Sequence, residues 1–162
     1  MAVRLLFVCM GNICRSPTAE AVMRAVVARE GLEDVVEVDS AGTGAWHVGN
    51  RPDRRATAAA RARGIVLQGA ARQVTRFDFD DFDLLLAADA ENVAALRRLA
   101  PDAAGAAKVV LLRSYDAVAL EAGDLDVPDP YYGGGDGFEH VLDLVEAACR
   151  GLLEDLRAAG RL

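Results

Sequence analysis

Residues 3–20 read VRLLFVCMGNICRSPTAE, and this stretch changes character twice along its length. Val3 to Val8 form an apolar run with a single arginine, which is typical of a strand buried on both faces of a parallel sheet. From Ser16 onward apolar residues recur at helical spacing, with Ser16 as the expected N-cap, Pro17 at the first helical position and Gly31 as the stop. The stretch therefore predicts a strand, a short polar loop and a helix.

The same alternation of strand and helix continues through the rest of the chain. It predicts further strands at Val35–Val38, Asp83–Ala88 and Val109–Leu112, and further helices at Asp53–Arg63, Ala90–Leu99 and along an apolar stripe from Phe138 to Leu156. Strands that alternate with helices favour a parallel sheet with right-handed crossovers. We therefore expect an α/β fold in which residues 1–162 make a single three-layer domain, with a four-stranded parallel sheet and helices on both faces.

The composition is that of an acidic globular protein. Hydrophobic residues make up 52% of the chain and charged residues 27%, and 18 basic against 25 acidic residues give a formal net charge of −7. An acidic surface repels phosphate backbones and anionic lipid, so we expect neither nucleic acid nor a membrane as a partner. We recognise no targeting segment, and the cysteines and histidines lack the spacing of a metal site. Three cysteines in such a chain favour a reducing cytoplasm.

The loop after the first predicted strand has the chemistry of an oxyanion site. Cys9 and Arg15 flank it, with five residues between them. The backbone N–H groups of such a loop can surround a phosphate, and the start of the following helix adds partial positive charge. Gly11 allows close backbone approach, Asn12 tolerates positive φ, and Arg15 offers a planar fork to two phosphate oxygens. The same field favours the thiolate of Cys9, to which Ser16 can donate a hydrogen bond, so the loop predicts a nucleophile inside a phosphate cradle.

Attack of a thiolate on phosphorus also requires an acid for the departing oxygen and then a base for water. The two long predicted loops, Ala41 to Pro52 and Tyr115 to Gly137, are placed to reach the carboxyl ends of the strands, where open α/β sheets bind ligands. The second loop offers three carboxylates, Asp124, Asp126 and Asp129. Asp129 precedes a proline and two tyrosines that could wall a pocket, but these residues alone leave all three candidates open.

Three segments of the chain resemble the low-molecular-weight protein tyrosine phosphatases. They are VCMGNICRSPTAE at residues 8–20, DSAGTGAWHVGNRPD at residues 39–53 and DPYYG at residues 129–133. The likeness runs in order from Leu6 to the last helix, and such a loop rarely occurs with a distant Asp-Pro-Tyr-Tyr in other proteins. The resemblance implies a phosphotyrosine phosphatase with a four-stranded parallel sheet and no cofactor.

The resemblance also assigns roles to individual residues. Cys9 would be the nucleophile that forms a phosphocysteine, Arg15 the phosphate clamp, and Asp129 the general acid and then the general base. Asn12, Ser16 and Ser40 would brace the loop through hydrogen bonds. The residues implied to contact the substrate are Met10, Gly11, Asn12, Ile13, Cys14, Ser16, Trp46 and Tyr131.

Three alternative functions share this fold or loop. An arsenate reductase needs further cysteines to relay a disulfide outward, but beyond the loop this chain has only Cys149, which lies on the apolar stripe of the last helix. Protein arginine phosphatases of this fold carry threonine where this chain has Ile13, whose apolar side chain favours an aryl phosphate. A module that only binds phosphate would lack the nucleophile or the acid, and both are present. Tyrosine phosphatase activity is therefore the preferred hypothesis.

The expected partner is a phosphotyrosine-containing protein, such as a tyrosine kinase, and we expect a monomer or a weak homodimer.

Two further residues give weaker indications of their place in the molecule. His47 is expected in a solvated loop. Asp89 ends the third predicted strand at the ligand-binding edge, where it could support the site.

Overall fold

The computed structural model describes residues 1–134 and 136–162, and its centre is a parallel sheet. Its strands are β1 (Val3–Cys9), β2 (Val36–Gly42), β3 (Leu84–Ala87) and β4 (Val109–Leu111). The spatial order is β2-β1-β3-β4, and every neighbouring pair is parallel. The predicted four-stranded parallel sheet is confirmed.

Helices connect and cover these strands in the part of the chain that the structure describes. They are α1 (Arg15–Arg29), α2 (Arg54–Ala62), α3 (Asp78–Asp81), α4 (Ala90–Leu99), α5 (Ala103–Ala107), α6 (Ala117–Ala122) and α7 (Asp136–Ala158), with a 3-10 turn at Leu112–Tyr115 after β4. None of these helices is long and apolar enough to cross a membrane.

Strand β1 forms the middle of the core because both of its faces are covered. Leu5 and Phe7 pack against the apolar side chains of α1, α2 and α7. Leu6 and Val8 point to the other face, where they pack with residues of α3 and α4. All four side chains are at most 1% exposed. The α/β fold with helices on both faces of the sheet is therefore confirmed.

The start of α1 differs from the prediction. The helix begins at Arg15 rather than after Ser16, and Cys14 precedes it without a side-chain cap. Ser16 lies in the first turn, where its hydroxyl faces the side chains of Cys9 and Asn12. The prediction of Ser16 as an N-cap was wrong because a serine near a helix start can bond elsewhere when a loop folds back over it.

Strand β2 is longer than predicted, since it runs from Val36 through Gly42. Gly42 pairs with Cys9 in the parallel register, so Ala41 and Gly42, the first residues of the predicted loop, lie in the sheet. The predicted loop from Tyr115 to Gly137 was also wrong in part, because it contains α6. Position 135 of that loop lies outside the described residues.

Candidate active site

The loop from residue 10 to residue 14 lies at the carboxyl end of β1 and curls around the thiol of Cys9. Asn12 has φ of 55°, and its backbone N–H points back to Cys9 Sγ at 3.3 Å. The hydroxyl oxygen of Ser16 lies 3.0 Å from the same sulfur. Cys9 is only 2% exposed, and its sulfur lies at the base of the loop beside these two groups. Both groups can donate a hydrogen bond to the sulfur of the candidate nucleophile.

Asn12 holds the loop in place through its buried side chain. Its Nδ2 donates to Ser16 Oγ at 2.8 Å and to Ser40 Oγ at 3.0 Å. Its Oδ1 accepts the backbone N–H of Arg72 at 3.0 Å. Ser40 then donates to Glu20 Oε1 at 2.6 Å. The sequence prediction included Ser40 but missed Glu20, which gave no signal because it is an acidic residue in a helix.

Arg15 is the second residue that the structure fixes firmly. Its side chain is 5% exposed, and Nη1 donates to Asp89 Oδ2 at 2.6 Å and to the carbonyl of Val127 at 2.9 Å. Its Nη2 lies 3.8 Å from Asp129 Oδ2. Burial alone would lower the pKa of Arg15, but the negative charges of Cys9 and Asp89 raise it above its ordinary value. The guanidinium therefore stays charged and rigidly oriented beside the sulfur.

Asp89 thus belongs to the site, as its place at the end of the third predicted strand suggested. It also begins α4, because its Oδ1 accepts the backbone N–H of Asn92 at 2.8 Å. One carboxylate therefore fixes both the helix and the guanidinium of Arg15. A buried arginine without such a partner would be strongly destabilising, so the pair explains how a charged side chain can lie below the loop.

The structure also separates the three carboxylates that the sequence left open. Asp124 forms an ion pair with Arg113, at 3.4 Å. Asp126 accepts the backbone N–H of Ala90 at 3.0 Å and so supports the start of α4. Of the three, Asp129 lines the cavity over Cys9. Its Oδ1 accepts the backbone N–H of Tyr131 at 3.1 Å, and its side chain is 40% exposed, so a ligand in the cavity can reach the carboxyl group.

This cavity has a volume of about 410 Å³ and opens above the loop. Trp46 is 79% exposed at its rim, so nearly all of the indole is available to a ligand. Tyr131 stands at the rim too, with its ring 6.1 Å from that of His47. The residues that line the cavity are Cys9, Met10, Gly11, Ile13, Cys14, Arg15, Trp46, His47, Asp129, Tyr131 and Tyr132.

His47 lies half-exposed in a loop, as expected, and it also lines the cavity. Its ring lies over Gly11, where a Cβ would come 3.0 Å from the His47 Cδ2 atom. A side chain at position 11 would require the His47 ring to move by a few tenths of an ångström, so glycine favours this close approach. His47 also lies within 3.4 Å of the Asn50 side-chain amide.

The three cysteines, all free thiols, differ sharply in their surroundings. Burial, together with the charges of Asp53 and Cys9, raises the pKa of Cys14 to about 12. Burial also raises the pKa of Cys149, which is fully enclosed on α7. Both thiols are therefore protonated near neutral pH. Cys9 differs from both because its sulfur has the Asn12 N–H and the Ser16 hydroxyl as neighbours and lies in the cavity beside the guanidinium of Arg15.

The start of helix α2 forms hydrogen bonds to two sides of the cavity. The backbone N–H of Asp53 donates to the carbonyl of Ile13 at 2.8 Å. Two positions later, Arg55 donates to the carbonyl of Tyr131 at 2.9 Å and lies over its ring. Burial alone would raise the pKa of Asp53, but hydrogen bonds from Arg55 and the backbone of Ala56 lower it below its ordinary value. The loop and the tyrosine wall are thus anchored to the same helix start.

Comparisons with known proteins agree with this geometry. The family model described as low molecular weight phosphotyrosine protein phosphatase matches residues 4–162. A low molecular weight protein-tyrosine-phosphatase of Streptomyces coelicolor is 57% identical over 157 residues, which cover 97% of this chain and 95% of that protein. A protein tyrosine phosphatase structure from Entamoeba histolytica matches with a TM-score of 0.92 and 38% identity, over 99% of this chain and 100% of that one.

An arginine phosphatase from Drosophila also has a similar structure, with a TM-score of 0.86 and 33% identity over 93% of this chain and 96% of that one. The fold by itself therefore accommodates more than one phosphorylated substrate. The family match, however, includes both the loop around Cys9 and the segment that carries Asp129. The resemblance seen in the sequence is confirmed, and the chain belongs to the low molecular weight protein tyrosine phosphatase family, whose members are hydrolases.

Proposed function

We propose that this protein hydrolyses phosphotyrosine in other proteins through a phosphocysteine intermediate formed on Cys9. The observation that supports this mechanism most directly is the pair of groups at Cys9 Sγ, the Asn12 N–H and the Ser16 hydroxyl. They stabilise a thiolate beside the guanidinium of Arg15, which is fixed by Asp89. A nucleophile and a phosphate clamp are thereby held at the two ends of the same loop, on one side of the cavity.

In the first step, the Cys9 thiolate forms a bond to phosphorus while the bond from phosphorus to the phenolic oxygen breaks. Arg15 and the loop N–H groups bind the non-bridging oxygens, whose charge is spread in the transition state. Asp129 enters this step as the carboxylic acid and gives its proton to the leaving phenolate. Its position at the mouth of the cavity, 3.8 Å from Arg15, supports this role.

In the second step, the Asp129 carboxylate takes a proton from a water molecule, and the oxygen of that water attacks phosphorus. The sulfur–phosphorus bond breaks, so inorganic phosphate leaves and the Cys9 thiolate is restored. The proposed reaction needs no cofactor. Cys9 supplies the electron pair for the bond to phosphorus, and Asp129 gives one proton in the first step and takes one back in the second.

The walls of the cavity support a preference for an aromatic phosphate ester. Trp46 and Tyr131 present rings at the rim, and Ile13 adds an apolar side chain. A phosphotyrosine ring can stack on these surfaces while its phosphate reaches the loop. Ile13 has no hydroxyl group for the P–N bond of phosphoarginine, so phosphotyrosine peptides are expected to exceed phosphoarginine peptides at least tenfold in kcat/KM. The opposite order would assign the chain to the arginine phosphatases.

The mechanism is tested with p-nitrophenyl phosphate and two substitutions. Cys9→Ser removes the thiolate, and Arg15→Lys keeps the charge but loses the fork that binds two oxygens. Each is expected to lower kcat by a factor of roughly 10³ or more. Cys149→Ala and Arg98→Lys, which lie outside the cavity, are the matched controls and should retain normal turnover. A Cys9→Ser protein with a tenth of the normal kcat would rule out the covalent mechanism.

For its setting, we propose the reducing cytoplasm and a phosphorylated protein substrate, such as a tyrosine kinase. The free thiols support that compartment, since Cys9 must remain reduced to act. We also propose that the protein acts as a monomer or a weak homodimer, because the cavity is built from one chain.

A further inference from the structure

An arginine-lined groove lies beside the candidate active site. Arg51, Arg54 and Arg61 are all exposed and line a single cavity of about 520 Å³, which we name the arginine groove. Arg54 and Arg61 stand two turns apart on the same face of α2, and Thr57 lies between them. No carboxylate is among the described residues that line the groove.

The three arginines of the groove differ from the other arginines of this region. Arg55 forms an ion pair with Asp53 at 3.1 Å, and Arg63 forms one with Glu139 at 2.6 Å. Within residues 1–134 and 136–162, no ion pair or side-chain hydrogen bond involves the guanidinium groups of the groove. Other exposed arginines, such as Arg98 and Arg150, also have no ion pair among the described residues. The groove is distinctive because three such guanidinium groups line one cavity that has no carboxylate, on a protein with a net charge of −7.

The arginine groove is connected to the cavity over Cys9 by short stretches of chain. Asp53, between Arg51 and Arg54, is bonded through its backbone N–H to the carbonyl of Ile13 in the loop. The neighbouring Arg55 is bonded to the carbonyl of Tyr131 at the cavity rim. Since consecutive Cα atoms are about 3.8 Å apart, Arg51 and Arg54 lie within two residues of these anchors.

We propose that the arginine groove binds an acidic segment of the protein substrate that flanks the phosphotyrosine. This inference rests on the proposed function, because it requires a phosphotyrosine in the neighbouring cavity. Guanidinium groups bind carboxylates through paired hydrogen bonds, and an extended peptide covers about 3.3 Å per residue. Acidic residues a few positions from the phosphotyrosine can therefore reach the groove. The rest of the protein surface is acidic and would repel such a segment. The acidic segment should therefore lie along the arginine groove.

The test compares phosphotyrosine peptides that differ only in their flanks. Three glutamates stand on the N-terminal side, on the C-terminal side, or are replaced by glutamines. The wild-type protein should prefer glutamate on one side by roughly three- to tenfold in kcat/KM, mainly through KM, since exposed ion pairs are individually weak. The preference should disappear in 0.5 M salt because salt screens exposed charges.

Two triple variants, each of which loses three positive charges, then show whether the preference for glutamate flanks depends on the arginine groove. Arg51→Ala/Arg54→Ala/Arg61→Ala should treat both peptide flanks alike. The control carries alanine at three exposed arginines of other helices, Arg29, Arg98 and Arg150, and should keep the wild-type preference. Melting temperatures show that both variants fold, and the salt dependence of the wild type is a second measurement that requires no variant.

The outcomes separate the two proposals. Equal kcat/KM for glutamate and glutamine flanks in the wild type would overturn the groove while leaving phosphotyrosine hydrolysis intact. A preference that survives in the groove variant, or that is lost equally in the control variant, would also overturn it. Absence of turnover on every phosphotyrosine peptide and on p-nitrophenyl phosphate would instead overturn the proposed function.

Discussion

Asn12 combines a backbone role and a side-chain role at one position of the loop. Its φ of 55° is the one positive value at a non-glycine position among the described residues. Most side chains would cost about 1–2 kcal/mol in that conformation, but asparagine adopts it more readily. The turn aims its N–H at Cys9 Sγ, and the buried amide is satisfied by Ser16, Ser40 and the backbone of Arg72. The polar side chain is buried without an unpaired group.

The contribution of Asp129 to the reaction rate is expected to increase with the basicity of the leaving phenolate. Asp129→Asn removes the proton donor, so kcat/KM on phenyl phosphate, which reports the first step, should fall by about 10²- to 10⁴-fold. On p-nitrophenyl phosphate, whose phenolate leaves without help, the loss should be much smaller. Steady-state kinetics on the two esters measure the difference. Asp126→Asn is the matched control, because Asp126 supports α4 through Ala90. Equal losses on both esters would assign the proton to another group.

Cys14 predicts a dependence of stability on alkaline pH. Its pKa is raised to about 12 in the folded protein, mainly by burial, whereas an unfolded cysteine titrates near 8.5. The folded state therefore holds its proton more tightly, and this contribution is complete below about pH 8 and lost as the pH rises toward 12. Between pH 8 and pH 10 the wild type should lose about 1–2 kcal/mol more unfolding free energy than Cys14→Ala.

Urea unfolding of both proteins at pH 8, 9 and 10 measures this difference. Cys149 also has a raised pKa, but it is present in both proteins and cancels. Parallel stability curves for the wild type and Cys14→Ala would show that Cys14 does not retain its proton in the folded state.

At the scale of the elements, the packing of α7 against the 3-10 turn depends on one glycine. Gly151 lies within α7, and a Cβ there would overlap the backbone carbonyl oxygen of Tyr115. Glycine normally costs a helix interior about 1 kcal/mol relative to alanine. Close contact between the helix and the turn after β4 is the reason to expect glycine here, since any larger residue would push the two elements apart.

Gly151→Ala should therefore destabilise the protein, although the same change stabilises an ordinary helix. We expect the unfolding free energy to fall by about 1–3 kcal/mol, the usual cost of forcing an extra group into a packed site. Ala147→Gly, at an exposed position of the same helix, is the control for intrinsic helix propensity and should cost about 1 kcal/mol. Denaturant unfolding gives both values, and a gain in stability for Gly151→Ala would contradict the packing argument.

At the scale of the whole molecule, phosphate binding and global stability are linked because the cradle exists only in the folded chain. The loop takes its shape from β1, β2, α1 and the segment that contains Arg72. A ligand that binds the native state alone stabilises it by about 2.7 kcal/mol at a concentration of 100 times Kd. For a chain of 162 residues, this corresponds to a rise in Tm of roughly 5–10 °C.

Inorganic phosphate should therefore raise the Tm of the wild type, while Arg15→Lys should respond much less at the same concentration. Each variant is compared with itself in the absence of phosphate, so its own loss of stability cancels. Arg98→Lys should behave as the wild type does. An equal rise in all three proteins would mean that phosphate acts as a general stabilising salt rather than as a ligand of the cradle.

Much of this architecture follows from local sequence. The strand, loop and helix in residues 3–20 depend on an apolar run and on spacing within a few positions, so they could be predicted. Helix α4 was predicted at its observed bounds for the same reason. Cys9 and Arg15 meet because five residues of one loop join them. The six-residue helix α6 was missed, since such a short element shows too little periodicity to be distinguished from a loop.

The supports of the site were decided by the tertiary structure. Asp89 and Arg15 are 74 residues apart, Arg72 and Asn12 are 60 apart, and their contacts depend on which strands become neighbours. Local patterns determine which face of an element is apolar, but a buried charge or amide takes its partner from whichever chain segment packs beside it. The sequence could therefore specify the nucleophile and the clamp and suggest Ser40 and Asp89 as supports, whereas only the folded sheet could specify which atoms these supports contact.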